Sequence, residues 1–120
     1  MPLWEDRPDA WHTILPNVRR RILTHDPSLM MVLYEIGPGT TFPNHTHPHV
    51  QSGVILEGGG TFSMGGTAFA VRKGSAYLVP SGVPHELKTH AEGTTLVLDV
   101  FTPRRDDFLG EALPPDRPTP

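Results

Sequence analysis

Two short stretches hold the residues whose types and spacing could do chemistry. PNHTHPHVQSG, residues 43 to 53, sets His45, His47 and His49 at alternating positions and follows them with Gln51; PSGVPHEL, residues 80 to 87, adds His85. Successive residues on a strand face opposite sides, so His45 and His47 project from one face and present two imidazoles side by side, a natural metal chelate. Gln51 shares their parity, although Pro48 interrupts regular pairing between them. His85 offers a third imidazole from further along the chain. An isolated His-x-His is more often turn decoration than a ligand pair, so its meaning depends on the elements around it.

Those elements read as strands. Few segments carry a helical period; what recurs is short β-favouring runs cut by Gly, Pro, Asn and Asp. Arg20 to Thr24 and Leu29 to Ile36 form one pair of strands, joined by the turn His25-Asp26-Pro27-Ser28. GPGT breaks the chain before TTFPNHTH, and GVILEG, TFSM and TAFAVR follow, the last two linked by Gly65-Gly66. A Gly-Gly connection signals a hairpin, because primed turns need positive φ. SAYLVP, HELKTH and TTLVLDVF complete a series of eight or nine strands, which predicts an all-β sandwich or small barrel. Residues 1–17 read as an N-terminal arm, 18–109 as the barrel domain, and 110–120, polar and proline-rich, as a disordered tail.

Composition bounds the rest. A chain of 120 residues is one domain's worth, and 37% apolar with 19% charged residues makes it globular. With 12 glycines and 14 prolines, many turns and therefore many short strands are expected. A net charge of -3 leaves no electrostatic footprint for nucleic acid. The absence of cysteine excludes disulfides and thiol catalysis. The longest apolar run, LMMVLY, is too short to span a bilayer, and MPLWEDRPDA has neither a basic start nor an apolar stretch behind it, so a cytoplasmic protein is expected.

The full spacing gives the histidines their context. Gly39-x5-His45-x-His47-x3-Gln51-x6-Gly58 resembles the first cupin motif, with Gln where Glu is usual. Gly74-x5-Pro80-x-Gly82-x2-His85 resembles the second, ending in Thr89 where Asn is common. The stretch between them, residues 59 to 73, is about the shortest the family uses. This resemblance implies a cupin jelly roll, a double-stranded β-helix with a divalent metal inside, and it implies His45, His47, Gln51 and His85 as ligands. Three neutral imidazoles and an amide oxygen would leave the metal's charge uncompensated, favouring anionic substrates and polarised oxygen ligands. Gln51 is read either as a direct ligand or as a hydrogen-bond partner of a ligating histidine. Zn, Ni, Mn, Fe and Cu all suit such a set. His49 matches no ligand position and reads as a rim residue, while Glu57 and Glu86 read as solvated rim charges.

A narrower resemblance covers residues 18 to 109. VRRRILT, LMMVLYEIGPGTTFPNHTHPHVQSGVILEG, VPSGVPHEL and LVLDVFTPRRDDFL are similar to the cupin branch of pectin-degradation proteins of the KdgF type. One departure is Val50, where that branch usually has Glu. The branch opens the ring of 4,5-unsaturated uronates to linear keto acids, and its D-x-F-x-x-x-R pattern falls on Asp99, Phe101 and Arg105. The resemblance implies Asp99 as the proton-transfer residue, Phe101 against the sugar and Arg105 on the substrate carboxylate, with Arg104 as the rival for that last role. Asp99 and Phe101 share strand parity with Val97, and a buried carboxylate is costly unless paired or useful. A homodimer is the family expectation. Two other functions fit a cupin: a metal-dependent dioxygenase, and a non-catalytic sugar- or metal-binding module.

Overall fold

The computed structural model describes residues 3–111, so most of the expected disordered tail (112–120) lies outside the described residues. Among the described residues ten strands run in chain order: β1 (His12–Leu15), β2 (Val18–Asp26), β3 (Leu29–Ile36), β4 (Thr41–His45), β5 (Val50–Glu57), β6 (Gly59–Met64), β7 (Thr67–Arg72), β8 (Ala76–Val79), β9 (His85–Thr89) and β10 (Thr95–Thr102). They pair into a six-stranded sheet, β1-β2-β3-β10-β5-β8, and a four-stranded sheet, β4-β9-β6-β7, all antiparallel. The all-β double-sheet barrel expected from the sequence is the architecture found. The ten strands are one or two more than the eight or nine read from the sequence. β1 is drawn from the segment read as an arm and pairs with the edge of β2.

Period-two alternation builds the interior. Met30, Val32, Tyr34 and Ile36 of β3 face inward, as do Thr95, Val97, Asp99 and Phe101 of β10, each with its neighbours in sequence turned outward. Their core also takes in Val18, Ile55, Phe62, Val79 and Leu87. Each such fully buried large side chain contributes about 1.5–3 kcal/mol.

The turns follow local chemistry. Asp26 Oδ1 accepts hydrogen bonds from the Ser28 and Leu29 amides at 2.8 and 3.2 Å, closing the β2–β3 connection. Gly65 and Gly66 take φ of 57° and 84°, the left-handed pair a two-residue hairpin between β6 and β7 demands. Thr89, at the end of the second histidine motif, donates to the Gly37 carbonyl at 2.8 Å and accepts from the Thr40 amide at 2.9 Å. It thereby ties β9 to the GPGT turn that launches β4. After β10 a 3₁₀ turn, Asp106–Glu111, buries Phe108 against Phe101.

Candidate metal centre and acid–base site

Three segments deliver the imidazoles. His45 ends β4 and lies opposite His85, the first residue of β9. His47 lies beyond the end of β4 in the β4–β5 connection, where the sequence reading had it on the strand; its carbonyl accepts from the Gly82 amide at 2.9 Å. That bond joins the two motifs directly. The ligand atoms of His45, His47 and His85 all lie within 4.8 Å of one another, a triad able to hold a metal ion.

The backbone sets the tautomer of each ring. His45 Nδ1 lies 2.8 Å from the Pro43 carbonyl oxygen, His47 Nδ1 lies 3.1 Å from that of His49, and His85 Nδ1 lies 2.9 Å from that of Val83. A carbonyl oxygen only accepts, so each Nδ1 carries the proton and donates. Each Nε2 therefore has a free lone pair. Burial lowers the pKa of all three rings despite those bonds, that of His85 to about 4, and the Arg105 charge adds to the effect. They stay neutral near pH 7.

Gln51, on β5 and 5% exposed, completes the convergence. Its Oε1 lies 2.9 Å from His47 Nε2 and 3.1 Å from His85 Nε2. These are acceptors facing acceptors with no proton among them, an arrangement that a cation resolves and that repels without one. The residues present therefore fit a divalent metal held by His45, His47 and His85, with the Gln51 oxygen beside them. Sequence parity alone had left the direction of Gln51 open.

Beyond the triad, Asp99 is the one carboxylate buried among the described residues, at 4% exposure. β5 lies between β10 and β8, with Gly53 opposite Asp99 on one side and Tyr77 on the other. With no side chain at Gly53, the two meet over it: the Tyr77 hydroxyl donates to Asp99 Oδ1 at 2.5 Å. The Gln51 amide lies in the same cavity and favours the ionised forms of both Asp99 and Tyr77. Burial pushes the Asp99 pKa up to about 7, and its hydrogen bonds from Tyr77 and Gln51 oppose the rise. Tyr77 stacks on Phe62 with ring centroids 4.3 Å apart, and burial raises its own pKa. The sequence reading passed over Gly53 and Tyr77. Tyr77 and Val79 share the inward face of β8, and nothing in SAYLVP itself names Asp99 as the neighbour.

A cavity of about 390 Å³, open mouth included, takes in Tyr34, His45, Gln51, Tyr77, His85 and Asp99 along its polar side. Glu86, read from the sequence as a solvated rim charge, lines it too, whereas Glu57 is exposed and pairs with Lys73 at 3.1 Å. Phe101 and Arg105 are not among the lining residues. Phe101 packs edge-on to His47 at 5.6 Å between centroids, and Arg105 lies over Phe101 and Phe108 at 5.0 and 4.0 Å. Arg105 grips Asp107 with two hydrogen bonds of 3.0 and 2.8 Å; Arg104 makes one, to Asp106, at 2.9 Å. The Arg105 side chain is 12% exposed against 24% for Arg104, so Arg105 is the one folded against the aromatic pair.

Comparison with known proteins gives a consistent picture. Residues 32–101 match the cupin domain family Cupin_2. The chain is 29% identical over 105 residues to the pectin degradation protein KdgF of Dickeya dadantii, covering 87% of this chain and 94% of that one. The solved structure of KdgF from Halomonas sp. superposes with a TM-score of 0.82 at 30% identity, covering 89% of this chain and 97% of the other. An RmlC-like cupin from Shewanella frigidimarina is similar at a TM-score of 0.78 and 25% identity, covering 82% and 87%.

Proposed function

The chain belongs to the cupin family, and from that premise we propose that it opens the ring of 4,5-unsaturated uronate monosaccharides, giving linear keto acids. The observation that carries this reading is Asp99, the one buried carboxylate among the described residues, on the wall of a cavity that also takes in His45 and His85 of the histidine triad. The similarity to two KdgF proteins, one of them named for pectin degradation, supports the substrate class.

The reaction is an isomerisation in which one proton moves. Asp99 accepts it from the anomeric hydroxyl as the bond between the anomeric carbon and the ring oxygen breaks, and an aldehyde forms there. The ring oxygen keeps the bonding electrons and becomes part of an enolate. Asp99 then returns the proton to the alkene carbon remote from the carboxylate, which leaves the keto acid. When bound, the divalent metal supplies Lewis-acid stabilisation of the negative charge that develops on oxygen. His45, His47 and His85 would hold it with Gln51. Arg105 is the partner for the substrate carboxylate; its fork already holds one carboxylate, that of Asp107, in two-bond geometry. Phe101 keeps water from the His47 side of the site, packed between that ring and Phe108.

The test is the ultraviolet band of the unsaturated uronate. Metal-loaded wild-type protein should remove the band well above the spontaneous rate, and chelation, His47→Ala or Asp99→Ala should each abolish that gain. Spontaneous-rate decay with folded, metal-loaded wild-type protein would refute ring opening for this substrate.

A further inference from the structure

An amide has two unlike ends, and the metal-site reading needs the oxygen end of Gln51 toward the imidazoles. Nothing in the triad enforces this, since three lone pairs would accept the NH2 end readily. The enforcement comes from behind. Asp99 and Tyr77 line the same cavity as Gln51, and its amide favours the ionised form of each, as a donor does. Tyr77 gives its one hydroxyl proton to Asp99, so toward Gln51 it can only accept; that favours the NH2 group on its side and turns the oxygen toward His47 and His85. Tyr77 in turn pins the carboxylate, donating to Asp99 Oδ1 at 2.5 Å. Its own ring is clamped flat against Phe62, with an interplanar angle of 23°.

Space makes the arrangement specific. Gly53 carries no left-handed φ and sits in regular strand pairing, so its backbone does not require glycine. The gap above it does: a Cβ there would lie 2.1 Å from Asp99 Oδ1 and 2.5 Å from the Tyr77 hydroxyl. The missing side chain is the room in which residues from two non-adjacent strands meet.

We infer that Tyr77 is a positioning residue that acts through Asp99 and Gln51, orienting the Gln51 amide so that its oxygen faces the histidine triad. It touches the metal site only through that chain of hydrogen bonds. The inference rests on the metal-site reading, not on the identity of the substrate, and its test does not depend on turnover.

Cobalt(II) is the probe, titrated into apo protein against a competing chelator, with the visible spectrum recorded at saturation. Tyr77→Phe keeps the stacked ring and removes only the hydroxyl. It should weaken Co²⁺ binding ~10-fold, within the range seen when a hydrogen-bond partner of a metal ligand is lost, and shift the visible bands. In a Gln51→Glu background, where both ligand oxygens are alike and there is no orientation to enforce, the same substitution should cost less than about twofold. Equal losses in both backgrounds, or wild-type affinity and spectrum in Tyr77→Phe, would overturn the inference. Gln51 is the only glutamine in the sequence, so a second measurement needs no variant. Its side-chain NH2 pair should appear in the NMR spectrum of the apo protein as two inequivalent, slowly exchanging protons. A pair at the position of a free, solvated amide would also overturn it. If uronate is not turned over by wild type, the proposed function fails while these measurements still decide the role of Tyr77.

Discussion

Asp99 and Tyr77 share a 2.5 Å hydrogen bond although the strands that carry them do not pair with each other. β5 runs between those strands, and the contact exists because residue 53 on it is glycine. Around this contact lie the cavity, the Gln51 amide and, one step further, the three imidazoles.

Gly53→Ala should therefore act as an overpacking mutation inside the site. The methyl group would have to displace a carboxylate oxygen and a stacked phenol, at a cost of about 1–3 kcal/mol. Urea unfolding should show that loss, and ring-opening activity should fall with it. Wild-type stability together with wild-type turnover would show that the gap is not needed.

Asp99 should make stability depend on pH in the metal-free protein. Its folded pKa, about 7, lies above the ordinary value of 3.8. The folded state thus holds a proton that the unfolded chain releases, and stability falls as pH rises from about 4 through 7. Asp99→Asn removes the cost of burying the charge. The variant should be more stable than wild type at pH 8, by on the order of a few kcal/mol, with the advantage shrinking toward pH 4. A pH-independent difference in urea unfolding, or a destabilised variant at pH 8, would contradict this account.

Arg105 and Arg104 should separate in steady-state kinetics. Arg105→Lys keeps the charge and loses the two-bond fork, so KM for the unsaturated uronate should rise roughly 10- to 100-fold, the equivalent of a lost charge-assisted hydrogen bond. Arg104→Ala, which removes a side chain paired with the exposed Asp106, should leave KM within about twofold. The reverse ranking would transfer the carboxylate-binding role to Arg104.

Much of the fold was legible because strand patterning is a local property. The alternation in LMMVLYEI and LVLDVF, the Gly65-Gly66 hairpin and the turn at Asp26 all followed from short windows. β1 escaped notice because four residues, HTIL, form a strand only where an edge is available to pair with, here that of β2. Glu86 alternates on β9 with the buried His85 and Leu87 and pairs with exposed Lys88 at 3.8 Å, so it remains a rim charge that borders the cavity.

What the sequence determined by itself was the inventory: three histidines and a glutamine at cupin spacing, and an acidic residue on the inward face of its last strand. Only the tertiary structure decided how these are used. Alternation says which face a side chain takes but not which residue on another strand it meets, because that depends on register across β10, β5 and β8. That register places Gly53 between Asp99 and Tyr77. The backbone carbonyls of Pro43, His49 and Val83, brought within reach by the local chain path, set the tautomers of the three imidazoles. A lone pair's direction and an amide's orientation are properties of neighbours in space, and only the packed barrel supplies them.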